Sequence, residues 1–339
     1  MRTDDFDYEL PQDRIAQHPA QPRDSSRLLV LNRESGELHH HIFHDLPSLL
    51  TPGDALVLNQ TRVLPARLRA VKADSGGQIE ILLLRQEAPT IWQAMVGGKR
   101  VDPGRRLLLN DGLGAEVLAN LGGPRRRLRF DRPLNAELEH LGEMPLPPYI
   151  HEPLSKPDDY QTVYAEDPGS AAAPTAGLHF TPQLLANLQE HGVHLVRLTL
   201  HVGMDTFAPV RELNPIEHAI HSEWCELSPQ AAETLNTVRA SGGRIIPVGT
   251  TSVRTLETAV RQSEDEKIAP FRGNTDLYIL PGFTFKATDA MVTNFHLPRS
   301  TLLMLVSAFA GHQRILETYR LAIEDGYRFY SFGDAMLIE

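Results

Sequence analysis

Between residues 61 and 132 the chain changes character. Lys and Arg number 14 there against 7 Asp and Glu, a local +7, whereas the remaining residues carry 19 basic and 36 acidic side chains, or -17. The same stretch holds six short runs without helical period, at 63–73, 78–85, 91–96, 105–109, 114–121 and 125–130, parted by Gly, Asp and Pro. Short strands at such even spacing predict a small antiparallel barrel or sandwich. A basic β module set inside an acidic chain therefore limits the fold more than any other feature.

The flanks read differently. Residues 27–31 (RLLVL) and 54–59 (DALVLN) are apolar runs closed by turn formers, as buried strands are. PLPPY at 145–149 predicts a stiff linker. Beyond it Thr181-Pro182 and Ser228-Pro229 pair an N-cap with a first-turn proline, and Gly192 and Gly242-Gly243 end the helices they open. Strands at 193–202, 244–248 and 276–280 alternate with these helices and with further helices at 252–262, 300–310 and 313–324. Alternation of this kind predicts an α/β class, with a largely parallel sheet and flanking helices. Residues 1–60 and 145–339 are expected to form one discontinuous α/β domain, interrupted by an inserted antiparallel β-barrel-like domain at 61–144.

Several classes fall away. A single cysteine, Cys225, leaves no disulfide framework or thiolate metal cluster and fits a reducing cytoplasm. The opening MRTDDFDYEL is acidic and has no apolar stretch, unlike a signal peptide. The longest apolar run, 302–310, is under half of a membrane span, so no membrane partner is expected. No GxxxxGK[ST] loop exists, and Gly112-Leu113-Gly114 lacks the third glycine of a dinucleotide fingerprint. The net charge of -10 argues against a nucleic-acid partner, but the +7 segment argues for one.

Candidate chemistry gathers at loop–helix junctions. APTAGLHFTP (173–182) shapes a loop around Gly177, places His179, and runs straight into a helix start. TNFHLPRST (293–301) repeats the arrangement with His296. In VGTTSVR (248–254) Thr250, Thr251, Ser252 and Arg254 crowd another helix start, more hydroxyls than one N-cap needs. Uncapped N–H groups there suit a carboxylate or phosphate. His201 falls on the polar face at the end of a strand in which Val196, Leu198, Leu200 and Val202 share the other face. His218, His221 and Glu223 have metal-ligand chemistry but converge only if the backbone turns. His39, His40 and His41 alternate across a strand and read as a solvated edge. In PRRRLRF alternation puts Arg126, Leu128 and Phe130 on one face and Arg125, Arg127 and Arg129 on the other. That basic face either contacts phosphate or protects a sheet edge.

These strings carry a resemblance. GSAAAPTAGLHFT, TLHVGMDTFAPV, HSEW, VGTTSVRTLE, LPGFTFKATDAMVTNFHLPRSTLLMLVSAFAG and YRFYSFGDAMLI resemble the S-adenosylmethionine:tRNA ribosyltransferase-isomerases of queuosine biosynthesis. So do DFDYELPQDRIAQHPAQPRDSSRLLVL, LNQTRVLPARL, PLPPYI and YQTVYA, from about residue 6 to 338 and most weakly at 85–140. The resemblance implies transfer of the ribosyl part of S-adenosylmethionine to 7-aminomethyl-7-deazaguanine at the tRNA wobble position, with release of adenine and methionine. It also implies a discontinuous α/β domain with an inserted β-barrel. S-adenosylmethionine enters as co-substrate, with no prosthetic group.

Such a reaction needs a base for the ribose C5′–H, an acid for departing adenine and a neutral attacking amine, all within reach of imidazole. His179, His201 and His296 are the expected catalytic residues, without a division of roles. Thr175, Gly177, Thr250, Thr251, Ser252, Arg254 and Asn294 are expected to bind S-adenosylmethionine or the modified base. Arg62, Arg67, Arg125, Arg126 and Arg127 are expected to bind tRNA, Arg62 and Arg67 at the joint of the two domains. The protein is expected to act as a monomer in the cytoplasm. Asp205 stands where the family pattern has glycine, Gln60 where it has Asp or Asn, and GSAAAP replaces GAVAAP. Two rivals remain: a metal-dependent hydrolase using His218, His221 and Glu223, and a non-catalytic tRNA-binding protein.

Overall fold

RLLVL forms the strand Arg27–Leu31, four of whose five residues are buried because both of its faces are covered, Leu29 and Leu31 in one core and Leu28 and Val30 in another. It runs parallel to Ala335–Ile338 and antiparallel to Leu38–Ile42. The computed structural model describes residues 1–134, 137–203, 209–263 and 267–339, so Asp205 lies outside the described residues. Two compact units are present. One comprises Met1–Thr61, Pro148–Asp167 and Ala173–Glu339; the other comprises Arg62–Pro147 with Pro168–Ala172.

The first unit carries two mixed sheets. Four strands lie in the order Met291–Asn294, Ala335–Ile338, Arg27–Leu31, Leu38–Ile42. Five lie in the order Ile245–Pro247, Ala55–Asn59, His194–Leu200, Glu223–Leu227, Phe271–Thr275. A single parallel bridge, Val248 to Val292, joins them. The α/β class holds, but the sheets are mixed and not largely parallel: the strands pair in parallel at 245–247 with 55–57, 55–59 with 194–198, and 28–31 with 335–338. Glu223–Leu227 returns antiparallel to His194–Leu200. Such a pair needs no crossover helix, and among the described residues of the connection only the short turn Pro215–Glu217 intervenes.

The expected strand at 276–280 is also corrected, since the ladder is made by Phe271–Thr275. Leu277, Tyr278, Ile279 and Leu280 instead pack side chains into the core around Leu303 and Met304. Their apolarity thus reports packing and not strand pairing.

The helices follow their caps. Thr181, Ser228 and Ser300 each accept a backbone N–H three residues on, opening Pro182–Glu190, Pro229–Ala240 and Thr301–Ala310. The apolar 301–310 run is a core helix with seven of its ten residues buried. Among the described residues no helix is long and apolar enough to cross a membrane. The helix expected at 252–262 begins two residues earlier, as Thr250–Arg261, because Gly249 at φ +84° turns the chain out of the preceding strand.

The second unit is an antiparallel barrel. Arg67–Lys72, Gln78–Ala88, Ile91–Val96, Arg125–Phe130, Gly114–Asn120 and Arg106–Leu109 pair in that order, and Arg106–Leu109 pairs back to Arg67–Lys72. Leu68, Ile81, Ala94, Leu107, Val117 and Leu128 fill it. Closure removes sheet edges, so the arginines of 125–130 protect none; their strand is paired on both sides. A register shift between Arg127 and Leu128 also breaks the expected alternation. Leu128 and Phe130 point into the core, but Arg126 stays half-buried.

Candidate active site

The segment after Ala173 turns through a short 3-10 helix, Thr175–His179, before Thr181 caps the next helix. Gly177 is buried there, and a Cβ at this position would stand 2.0 Å from the Tyr164 hydroxyl and 2.8 Å from Thr162 Cγ2. Close packing therefore accounts for this glycine, and the start of the 182–190 helix is already occupied by the Thr181 hydroxyl.

His179 is buried against the Phe43 ring, stacked at 4.9 Å. Asn294 Nδ2 donates to the Tyr330 carbonyl (3.1 Å) and to His179 Nε2 (3.0 Å). A carbonyl only accepts, which fixes the amide orientation and makes His179 Nε2 the acceptor. Its proton then sits on Nδ1, which donates to Ser26 Oγ at 2.8 Å. Burial, aided by Arg328 and Arg23, pushes the imidazole down to about 3. Both ring nitrogens are engaged and the ring is neutral: His179 holds Asn294, which in turn accepts from the Thr175 hydroxyl at 3.2 Å.

His296 sits beside this group. Its Nε2 meets Thr293 Oγ1 at 2.8 Å, its backbone N–H donates to Tyr319 Oη at 3.0 Å, and its carbonyl accepts from the Tyr8 hydroxyl. Burial pushes it down to about 3 as well. Thr175, Asn294, His296, Tyr149, Tyr330 and Ser331 line a small hollow. Tyr149 and Tyr330 lean together at 4.7 Å, and the Tyr149 hydroxyl meets Ser331 Oγ at 2.7 Å. Tyr330 holds φ +71°, uncommon for a bulky residue and a form of strain that clusters at functional sites. Sequence reasoning missed both tyrosines; PLPPY looked only like a linker.

A second small hollow shares Leu302 with the first and is lined by His218, His221, Glu223, Thr250, Thr251 and Arg254. The 250–261 helix has no side-chain cap, and Thr250 and Thr251 of its first turn line this hollow. Asn59 steadies Thr251 through a 3.2 Å bond to its hydroxyl. Ser252 is spent otherwise, donating to the Val248 carbonyl at 2.8 Å with no exposure at all. Arg254 is also committed: Nη1 pairs with Glu223, Nε donates to Leu277 O (3.0 Å) and Nη2 to Thr275 O. Glu223 accepts in addition from Gly203 N at 2.8 Å.

The metal reading of His218, His221 and Glu223 fails on these commitments. Glu223 faces Arg254, and His218 Nδ1 bonds Glu212 at 2.9 Å. Among the described residues no group of three potential ligands converges. Cys225 is buried and its thiol is pushed up to about 11, an inert group.

His201 lines neither hollow. It stacks on Trp224 at 5.0 Å, and its Nδ1 meets Thr61 Oγ1 at 2.9 Å. Burial lowers its pKa while Asp167 opposes the shift. Asp167 accepts from Gln60 (2.9 Å) and from Thr199. A wider groove along the helix His312–Glu324 contains none of the candidate residues.

In the barrel unit Arg67 faces Glu80 at 3.8 Å and Arg127 faces Glu87 at 2.7 Å. Arg126 donates Nε to Val101 O (2.6 Å) and Nη1 to Asn120 and Gly123. Arg62 is exposed.

A split α/β unit with two hollows at its loop–helix junctions, interrupted in sequence by a closed barrel, defines a discontinuous α/β enzyme. The chain belongs to the queuosine biosynthesis protein family, whose model matches residues 3–338. It is 53% identical over 342 residues to an S-adenosylmethionine:tRNA ribosyltransferase-isomerase of Symbiobacterium thermophilum, covering 100% of both chains. It is 54% identical over 343 residues to the enzyme of that name from Moorella thermoacetica, again over 100% of both. A crystal structure of S-adenosylmethionine tRNA ribosyltransferase from Thermotoga maritima matches with a TM-score of 0.58 at 41% identity, covering 99% of this chain and 100% of that one.

Proposed function

We propose that this protein transfers and isomerises the ribosyl part of S-adenosylmethionine onto 7-aminomethyl-7-deazaguanine in tRNA, releasing adenine and methionine. The observation that carries this reading is full-length identity of 51–54% to four proteins named S-adenosylmethionine:tRNA ribosyltransferase-isomerase.

The site supports it in three ways. The uncapped start of the 250–261 helix, with Thr250 and Thr251, is suited to the methionine carboxylate. The neighbouring hollow, with two tyrosines beside Asn294, Thr175 and His296, suits a planar base and a ribosyl group. His296 there is neutral, the form that accepts a proton from C5′. His296 and His201 are assigned as the proton carriers, and His179 as the residue that positions Asn294. Ser252, Gly177 and Arg254 support the site and do not touch substrate. The barrel contributes the tRNA contact, and the protein works as a monomer.

Mixing the protein with S-adenosylmethionine and tRNA bearing 7-aminomethyl-7-deazaguanine tests this. Adenine, methionine and a heavier wobble base are expected. Binding of the tRNA without adenine release would leave the non-catalytic reading, and sizing the active species by light scattering tests the monomer.

A further inference from the structure

The barrel's charge excess has an address. Seven of its arginines face a carboxylate: Arg67, Arg69, Arg105, Arg106, Arg127, Arg129 and Arg132. Among the described residues no carboxylate forms an ion pair with Arg62, Lys72, Arg85, Lys99, Arg100 or Arg126. Four of these six meet at one turn, 97–101 (GGKRV). Lys99 and Arg100 are its exposed tip. The Lys72 ammonium donates to the Lys99 carbonyl, and Arg126 Nε donates to the Val101 carbonyl at 2.6 Å. Backbone bonds from Gly97 to Glu80 (2.8 Å) and from Val96 to Pro124 (2.9 Å) pin the turn to its neighbours. Arg100 holds φ +58°, a conformation glycine adopts without cost and arginine does not. The turn itself carries no acid, and the exposed Asp102 follows it.

We infer that this turn is a phosphate-contact element for RNA, with Lys99 and Arg100 as the contacting side chains and Lys72 and Arg126 as the cations that support it. The inference rests on the proposed function for its partner. Arginines already held by carboxylates release few counterions on binding, whereas uncompensated ones on a fixed backbone gain the full phosphate contact. A left-handed arginine where glycine would be easier is kept for its side chain.

The test uses the full chain and measures affinity for tRNA bearing 7-aminomethyl-7-deazaguanine as salt is raised. Lys99→Ala combined with Arg100→Gly should flatten the slope of log affinity against log salt by about 1 to 2 and raise the KM for tRNA about tenfold. The kcat and the KM for S-adenosylmethionine should hold. Arg100→Gly alone should keep or raise the Tm while weakening tRNA binding, which a merely structural arginine would not do. Arg129→Ala, which removes an arginine paired with Glu116, should leave the slope unchanged. An unchanged slope and KM in the double variant overturn the inference, as does an equal loss in Arg129→Ala. If the unaltered protein releases no adenine from S-adenosylmethionine and tRNA, the proposed function falls instead.

Discussion

Asn294 donates its amide to Nε2 of His179 at 3.0 Å, and this bond decides what the histidine can do. With Nδ1–H given to Ser26 and the ring stacked on Phe43, no nitrogen is left to move a proton. The imidazole instead fixes the rotamer of Asn294, whose oxygen meets Thr175 at the wall of the hollow. Asn294→Ala should lower adenine release about tenfold or more while leaving the tRNA salt slope alone. Release at the unaltered rate would refute the positioning role.

The two buried imidazoles also set a pH dependence. His179 and His296 are held at about 3 against an ordinary 6.5. Between those values the unfolded chain takes up a proton that the folded chain refuses. Their contribution is therefore complete above pH 6.5 and declines as the pH falls, by about 1.4 kcal/mol per pH unit for each histidine. Urea unfolding from about pH 7.5 to 4.5 checks this: His179→Gln and His296→Gln should each show a shallower acid loss than the parent. Parallel curves would show that neither ring resists protonation.

Glu223 and Arg254 make a buried pair, 4% and 7% exposed, at the wall of the second hollow. Removing one partner leaves the other charged and unpaired, so Arg254→Met should cost about 3–5 kcal/mol in urea unfolding. Arg254→Met with Glu223→Leu should recover much of that loss. If Arg254→Met instead keeps the parental stability and raises only the KM for S-adenosylmethionine, the arginine is a substrate ligand after all.

These cases show where sequence reading succeeds and stops. Thr181, Ser228 and Ser300 announce helices because an N-cap and its N–H are three residues apart, so the signal is local. The barrel strands are legible because short runs without helical period are parted by Gly, Asp and Pro, again a local signal. Arg254 looks like a free guanidinium because its partner Glu223 lies 31 positions away, and no spacing rule joins them. His179, His201 and His296 read alike in sequence, yet bonds across 115, 140 and 3 positions give them different roles. Parallel pairing is overcalled because alternating elements do not reveal which connections lack a helix.

Gly177 offers a test of packing against chemistry. Its absent Cβ would meet the Tyr164 hydroxyl at 2.0 Å, and that hydroxyl is itself buried with no hydrogen-bond partner among the described residues. Tyr164→Phe should therefore be neutral or stabilising by up to about 1 kcal/mol. Gly177→Ala should destabilise by about 1–3 kcal/mol, and less in the Tyr164→Phe background. Thermal unfolding of the three variants measures the coupling, and full additivity would sink the packing account.

His201 differs from the other two histidines in keeping a carboxylate nearby. Burial lowers its pKa, and the Asp167 charge works against that shift. If His201 carries a proton in the reaction, it must be neutral to accept one, so kcat/KM should fall on an acid limb lying below pH 6.5, the ordinary imidazole value. Asp167→Asn removes the raising influence and should move that limb to still lower pH. His201→Gln should abolish the limb and slow adenine release about 100-fold or more. Initial rates from about pH 5 to 8 distinguish the outcomes. A limb that stays in place in Asp167→Asn and survives in His201→Gln would refute His201 as the proton carrier.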